Sequence, residues 1–521
     1  MLEGTSGMQT LLAPTAVSAT VTGISAPTGS TGMRFYIKLT NYTASGTLTI
    51  TGTGSPGNTE TVNVAALSAQ QTQSPLLADF EYVSVNAYTA ITNITTTGLT
   101  NGTISVFGIQ AAKFNIPVTA FKSDRKVPLY SPNEHTGLMA RDKKLIATHN
   151  ETSISNLDSD FYGDLSLYWV YMVIGSPTWT SLPAVPTTLF AAAAISASQS
   201  LTTQPSAPGM KLIFTITAFT VAGTLTIAGT SYGIPTTETI SVTAAGTYYS
   251  ANVYSAVNVN GITNATTAAT MAITGAFGWK GVVNEEATRL TAALEHFDGS
   301  ASLTHPFSFA TDGDMTITTK GEAKLTLKGM AQDRLAIGDR TTNPLNTNRT
   351  VAIGTPLSDM PLAGWQTQVY LDPITGTAQS TVFTDPDDSI KIAIKCPTEA
   401  HYTFNNQQTY TRAYPVKPEC TADLAYDIIN LIQNEQFRQN LKQYLVVATI
   451  GRYIGTVTAV PQYEGWTWTL PGRYDGEYAQ EGDPGKGNVF AKPKWRCEYD
   501  AGIGAAYQLT VITQTPPTYP N

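Results

Sequence analysis

The chain repeats part of itself, and that restricts its fold more than any other feature. Gly32-Met33-Arg34-Phe35-Tyr36-Ile37-Lys38-Leu39-Thr40 returns as Gly209-Met210-Lys211-Leu212-Ile213-Phe214-Thr215-Ile216-Thr217. Gly46-Thr47-Leu48-Thr49-Ile50-Thr51-Gly52-Thr53 returns as Gly223-Thr224-Leu225-Thr226-Ile227-Ala228-Gly229-Thr230, at the same offset of 177. Thr59-Glu60-Thr61-Val62-Asn63-Val64 returns as Thr237-Glu238-Thr239-Ile240-Ser241-Val242 at 178, so one residue is inserted in the turn between. A folded hairpin tolerates an insertion confined to its turn. Leu48, Ile50, Val62 and Val64 alternate with Thr and Asn, the period of a half-buried strand. β-Branched Thr suits the wet face of such a strand without adding charge.

Further strand patterns follow in each copy, at 82–85 and 103–107 and again at 256–259 and 270–274. Short strands in about 80 residues match the size of an immunoglobulin-like sandwich. The modules are placed at 26–112 and 186–278, behind an N-terminal arm, 1–25.

A length of 521 residues suits three or four folded units. Only 13% of residues are charged, about half the usual share, yet 42% are hydrophobic, with 25 Tyr, 17 Phe and 7 Trp. Disorder pairs low hydrophobicity with high charge, so this chain reads as globular. No apolar run approaches the ~18 residues of a membrane span. The start, Met1-Leu2-Glu3-Gly4-Thr5-Ser6-Gly7, lacks the basic and apolar regions of a secretory signal. Thirty Lys and Arg against 38 Asp and Glu give a net charge of −8, which opposes a body that grips nucleic acid. Cys396, Cys420 and Cys497 show no metal-ligand spacing and read as isolated reduced thiols, with a pair meeting in space as the alternative.

Residues 113–185 and 279–521 carry more charge, all the Cys and all five His, and show a weaker duplication. The first half reads as a strand at 114–120, a polar loop at 122–144 and a strand at 145–154. An apolar helix over 164–175 follows, stopped by Gly175 with Pro177 beyond. The second half reads as a strand at 390–394, a loop at 404–414 and a strand at 416–421. Its helix, 423–441, has Leu424, Ile428, Leu431 and Ile432 on one stripe. More strands follow each helix. The expected fold is therefore mainly β: one half at 113–185 and 279–330, another at 363–521, and two sandwich modules. The second module is inserted in a surface loop of the first half, and 331–362 links the halves.

This order of elements resembles the major tail tube proteins of long-tailed (siphovirus-type) bacteriophages, with Asn405-Asn406, Arg412-Ala413-Tyr414-Pro415 and Glu419-Cys420-Thr421-Ala422-Asp423-Leu424 as its best local match. The Thr-rich modules look like the Ig-like decorations of phage structural proteins. The resemblance implies a structural virion protein, assembled in the host cytoplasm into stacked rings that form the conduit for genome ejection. Sheets of neighbouring subunits would join into an inter-subunit β-barrel, which removes exposed edges. DNA would pass through the lumen without specific binding, and the tape measure and terminator proteins would be partners. Family members usually carry one tube domain and form hexameric rings, so two halves imply a trimeric ring with pseudo-sixfold symmetry. The alternative is a phage adhesin or decoration protein that binds host-surface glycans through Trp466, Trp468 and nearby Tyr.

The sequence carries no catalytic pattern. His135, His149, His296, His305 and His401 form neither HExxH nor a zinc-deaminase signature. Asp158-Ser159-Asp160 with Asp164 lacks the Gly and Glu of a calcium loop and reads as a helix cap. Asp385-Pro386-Asp387-Asp388 reads as a turn. Glu285 and Glu286 fall on opposite faces of a strand, and a glycan-cleaving enzyme needs two facing carboxylates. No enzyme activity, metal, cofactor or membrane contact is expected. Candidate subunit or ring contacts are Arg141 and Lys143 in the first long loop, and Trp466 and Trp468, whose shared strand face reads as a core or ring-interface face. Arg473, Asp475, Glu477, Glu481 and Lys486 in the loop 471–493 complete the set.

Overall fold

The computed structural model describes residues 8–24, 34–40, 46–55, 59–64, 79–83, 87–99, 102–109, 118–126, 129–130, 146–147, 151–163, 166–242, 245–265, 267–289, 292–297, 302–331, 335–337, 361–374, 378–383, 386–396, 398–401, 412–427, 441–475, 480–482, 489–491 and 494–514. The chain is mainly β, as its period-two patterning indicates. Module 1 holds β1 (Met8–Ala16), β2 (Thr20–Val21), β3 (Arg34–Thr40), β4 (Gly46–Ser55), β5 (Thr59–Val64), β6 (Asp79–Val83), β7 (Ala87–Thr97) and β8 (Thr103–Ile109). The body then begins with β9 (Ala120–Lys126), β10 (Leu129–Tyr130), β11 (Ile146–Ala147), β12 (Glu151–Asp160) and β13 (Thr178–Leu182). Module 2 holds β14 (Thr187–Ala194), β15 (Ser198–Gln199), β16 (Met210–Val221), β17 (Gly223–Ser231), β18 (Ile234–Val242), β19 (Gly246–Tyr254), β20 (Ala256–Ala265) and β21 (Ala268–Ala276).

Both modules are β-sandwiches with the same strand order. Module 1 pairs as β1-β8-β3-β6 facing β2-β7-β4-β5, and module 2 as β14-β21-β16-β19 facing β15-β20-β17-β18. In each, the first strand pairs the last and the second pairs the seventh. That is a long hairpin rolled into the double-sheet jelly roll, whereas an immunoglobulin sandwich sets ABED against CFG. The expectation of a sandwich holds, and its Ig-like strand order is corrected. Period-two patterning assigns faces, not partners, so size and strand count did not separate the two. The expected arm at 1–25 contributes β1 and β2, paired with β8 and β7, so it is part of module 1.

Equivalent positions fill the two cores. Phe35, Ile37 and Leu39 of β3 are buried, as are Leu212, Phe214 and Ile216 of β16. Leu48 and Ile50 match Leu225 and Ile227. On the outer face, Thr49 and Thr61 hydroxyls meet across β4–β5 at 3.0 Å, and Thr226 and Thr239 repeat the contact at 3.2 Å. Such cross-strand pairs stabilise a sheet without charge.

The body resumes with β22 (Gly278–Asn284), β23 (Ala292–Phe297), β24 (Ser302–Thr318), β25 (Lys324–Ala331), β26 (Leu335–Ile337), β27 (Thr367–Pro373) and β28 (Pro386–Lys395). It continues with β29 (Thr398–His401), β30 (Arg412–Pro415), β31 (Glu419–Asp427), β32 (Gln443–Val457) and β33 (Val460–Asp475). Last come β34 (Gln480–Gly482), β35 (Val489–Ala491), β36 (Lys494–Cys497) and β37 (Gln508–Thr513). One run of ladders is β9-β12-β25-β24-β28-β31. A second is β27-β32-β33-β37-β22-β13. Strand β36 joins them, pairing β31 on one side and β33 on the other. Residues 361–363 tie the far side: Leu362 N–H donates to the Phe161 carbonyl at 2.8 Å, and Ala323 N–H to the Leu362 carbonyl at 3.0 Å.

Between the two sheets lies helix α1 (Leu167–Trp169), continued by a π-helical turn, Val170–Ile174, with all eight residues buried. The sequence placed this helix at 164–175, with Gly175 as its stop, and Gly175 caps it. Trp169 packs on Trp466 and Trp468 at 5.9 and 6.2 Å between ring centres, and its Nε1 donates to the Thr326 carbonyl at 3.0 Å. Gly313 makes room on the opposite sheet, since a Cβ there would lie 2.5 Å from Val173 Cγ1. Burial pushes the Tyr171 hydroxyl up to about 12, and Trp179 Nε1 donates to it at 3.1 Å.

Several sequence boundaries shift. β24 pairs β28 and β22 pairs β37, so strands from both expected halves share ladders and one core. The helix expected at 423–441 is strand through Asp427, because Cys420, Ala422 and Leu424 are buried at period two; residues 428–440 lie outside the described part. The polar loop at 122–144 starts later, since Lys122–Lys126 belong to β9. Likewise 471–475 finish β33, and 480–482 and 489–491 are strands. Within the expected linker, Leu335–Ile337 form β26 against β24.

Candidate functional site at the module–body junction

Module 2 leaves and rejoins the body at adjacent points, Leu182 and Gly278, which pair across β13–β22. That geometry lets a whole domain sit in one surface connection. Two contacts then fix its orientation. The β17–β18 hairpin turns at Tyr232-Gly233, with φ of 45° and 81°, the left-handed pair of a tight two-residue loop. The turn delivers Tyr232 to the body, where its hydroxyl donates to Gln514 Oε1 at 2.8 Å. The Arg452 guanidinium lies 5.0 Å from the centre of the Tyr232 ring, a cation–π distance.

Arg452 is itself held. Its Nη2 donates to Gln514 Oε1 at 2.6 Å and to the buried carboxylate of Glu464 at 3.3 Å. Gln514 Nε2 donates to the Phe277 carbonyl at 3.1 Å. Tyr232 thus docks on a preassembled polar group rather than on a loose side chain. The second contact is apolar: Trp279 of β22 meets Tyr249 of β19 edge to face at 5.8 Å, beside Ile213 and Ala276. At Gly455, φ +149°, the Phe277 ring lies 2.4 Å from where a Cβ would stand, so glycine permits the close approach.

The expected contact residues fall elsewhere. Trp466 and Trp468 are fully buried in the body core, against Phe161 and Trp169, and Trp468 Nε1 donates to Met315 Sδ at 3.3 Å. They are therefore neither a ring contact nor a sugar platform. Arg473 and Arg496 stand directly opposite on β33 and β36. Like charges there would repel, but Arg473 makes a two-point pair with Glu498 at 2.9 Å and Arg496 lies 3.8 Å from Asp475. Glu481 pairs with Phe490 through the backbone of β34–β35. Arg141, Lys143, Glu477 and Lys486 lie outside the described residues, as do Asn405 and Asn406.

Other readings are settled by position. Asp158 Oδ1 accepts from Thr326 Oγ1 at 2.8 Å, a cross-strand tie in place of the expected helix cap, and the N-cap is Ser166. Glu285 follows β22 in a turn, where its carboxylate accepts from the Ala506 and Tyr507 N–H groups at 2.6 and 3.4 Å. Among the described residues, no group of three or more His, Cys, Asp or Glu is placed to hold a metal ion. No helix among them is long and apolar enough to cross a membrane. Sequence reasoning missed Tyr232, Arg452 and Gln514. One signal was present: the residue inserted in the second copy falls in the turn that carries Tyr232.

No protein-family model matches the chain, and none of the curated proteins is significantly similar to it. Among solved structures the chain is similar to the PBSX exported protein XepA, at 13% identity over 52% of this chain and 83% of that one. The TM-score is 0.13, too low to carry an argument about fold or function.

Proposed function

We propose that this chain is a structural virion protein, a subunit that assembles with copies of itself into the stacked rings of a phage tail tube. The observation that supports the reading most is the clamped junction at Tyr232. A closed ring needs every subunit to present the same surfaces in the same orientation, and a module held by Arg452, Gln514 and Trp279 is presented identically in every copy. The low charge and Thr-paired outer faces of the modules suit permanent contact with neighbours. Tape measure and terminator proteins are the expected tail partners, and the acidic balance of the chain favours DNA passing without retention. The role is structural and not catalytic; sugar release from host polysaccharide by the purified protein would overturn that part.

Electron microscopy of concentrated protein tests the assembly. Rings or hollow tubes are expected, and single particles under all conditions would sink the reading. A trimeric ring with pseudo-sixfold symmetry rests on two tube halves; because strands of both share one core, counting subunits per ring decides the copy number. A second reading, a glycan-binding adhesin, is favoured by the jelly-roll order, which lectin domains also use. It would have to use the modules, since Trp466 and Trp468 are enclosed, and cell or glycan binding by unassembled protein would support it.

A further inference from the structure

Strand β36 is the one named strand whose ladders connect the two sheets of the body among the described residues, through the short registers Thr421↔Arg496 to Asp423↔Lys494 and Gly472↔Cys497 to Asp475↔Lys494. Two thiols meet at this seam. Extending the first register by one step sets Cys420 directly opposite Cys497. Alternation turns both inward: Ala422 and Trp495, two residues away on the two strands, are buried, while the Arg496 between Trp495 and Cys497 is exposed. The Cys420 thiol lies close enough to Cys497 to help raise its pKa. Opposed residues of an antiparallel pair hold their Cβ atoms about 4.5–5.5 Å apart, and a disulfide needs about 3.5–4.5 Å. A bond between them therefore requires a small adjustment and no change of strand pairing.

Cys396 is a third buried thiol nearby, but its position differs. The residue opposite Cys420 on β28 is Ile394, which leaves Cys396 displaced along the strand. Its Sγ donates to the Val173 carbonyl at 2.9 Å.

We infer that Cys420 and Cys497 are an oxidisable dithiol whose disulfide staples the seam between the two body sheets. With hydrogen peroxide as oxidant, the half-buried Cys497 attacks as its thiolate. An S–O bond forms, the O–O bond breaks and hydroxide leaves as water, giving a sulfenic acid. The Cys420 sulfur then attacks the Cys497 sulfur, forming S–S and breaking S–O, and the hydroxyl leaves as a second water with the Cys420 proton. Two sulfurs together lose two electrons and peroxide gains them. Burial, and then the Cys420 thiol beside it, push the Cys497 thiol well up, so thiolate is scarce at neutral pH and the first step quickens as pH rises. In a reducing compartment the thiols persist, and the staple forms once the protein leaves it.

The experiment is a non-reducing peptide map of the full chain after hydrogen peroxide treatment under native conditions. The expected result is loss of two hydrogens, with Cys420 and Cys497 peptides joined and the link reversed by dithiothreitol. The body's melting temperature should rise on the order of 5 °C. Cys497→Ser and Cys420→Ser should each abolish the link, and Cys396→Ser should leave it intact. If a serine variant fails to fold, the wild-type map still decides. A link through Cys396, sulfinic or sulfonic acid at Cys497 without any link, or three unmodified thiols at raised pH would each overturn the inference.

Discussion

Modules 1 and 2 have one strand order and nearly one core, yet they differ at the tip of one hairpin. Between 187 and 276 the sequence holds a single carboxylate, Glu238, and a single cation, Lys211. Both act on one irregularity, where β19 bulges against β16 between Lys211↔Val253 and Ile213↔Tyr249. Glu238 accepts from the Ala251 and Asn252 N–H groups at 2.6 and 3.0 Å and from Asn252 Nδ2 at 2.9 Å. Lys211 Nζ donates to the Ser250 carbonyl at 3.4 Å and also to that of Ala251. The bulge would otherwise leave backbone groups unpaired, which is costly. Module 1 has Glu60 and Arg34 at the matching positions, with Glu60 opposite Ile50 as Glu238 is opposite Ile227. In module 2 these two charges therefore belong to folding. The difference lies at the hairpin tip: 54–58 in module 1 reads Gly-Ser-Pro-Gly-Asn, without an aromatic, where module 2 has Tyr232.

The strongest test of the shared core is volume. Phe214 of module 2 occupies the position of Ile37 in module 1, and both are fully buried. Phe214→Ala should cost about 3–5 kcal/mol and Ile37→Val about 0.5–1.5 kcal/mol. Calorimetry should place each loss in its own module's transition; one merged response would break the picture of two separate cores. Next in size is Glu238→Ala, expected to cost about 1.5–3 kcal/mol because charged hydrogen bonds to backbone are lost. Hydrogen exchange should rise at 250–254 and stay unchanged in module 1, and unaltered protection there would remove Glu238 from its assigned role.

A smaller effect probes the Tyr232 contact of module 2. Tyr232→Phe keeps the ring over Arg452 and removes the bond to Gln514, so about 0.5–1.5 kcal/mol should be lost. Tyr232→Ala should lose about 0.5–1 kcal/mol more with the cation–π contact. Limited proteolysis at the 182–187 and 276–278 connections should quicken in the order wild type, Phe, Ala. Equal rates in all three would show that Trp279 and Tyr249 hold the module unaided.

Much of this was legible in the sequence because period-two burial is local. The repeat, the β class and the helix ending at Gly175 could be read from residues near in sequence. Strand partners could not: β1 pairs β8 about ninety residues on, and β22 pairs β37 across more than two hundred. Leu424 reads as part of a helical stripe because it serves either period, and its ladder with Ile390 decides for strand at that residue. Trp466 and Trp468 read as one face of a strand, which is correct, but whether that face meets solvent, a neighbour or Trp169 depends on a helix three hundred residues earlier. The junction was least legible, since Tyr232, Arg452 and Gln514 converge only after three separate elements fold.

Acid should separate body from module 2 with the smallest effect. In the body, burial alone would raise the Asp372 carboxyl, but hydrogen bonds from the side chains and backbone of Ser380 and Thr381 outweigh it and hold the group below its ordinary range. Burial likewise opposes ionisation of Asp500, and Tyr444, Ile503, Gly502 and Lys442 overcome it. A carboxyl lowered in the folded state stabilises the fold above its unfolded pKa, near 3.8, and that contribution disappears as pH falls through the lower folded value. The body's melting temperature should therefore begin to fall below about pH 4, while module 2, with one carboxylate between 187 and 276, should hold longer. Asp372→Asn should flatten the body's fall at a cost already present at pH 7. If module 2 melts earlier than the body as pH drops from 5 to 3, these two carboxylates do not set the acid response.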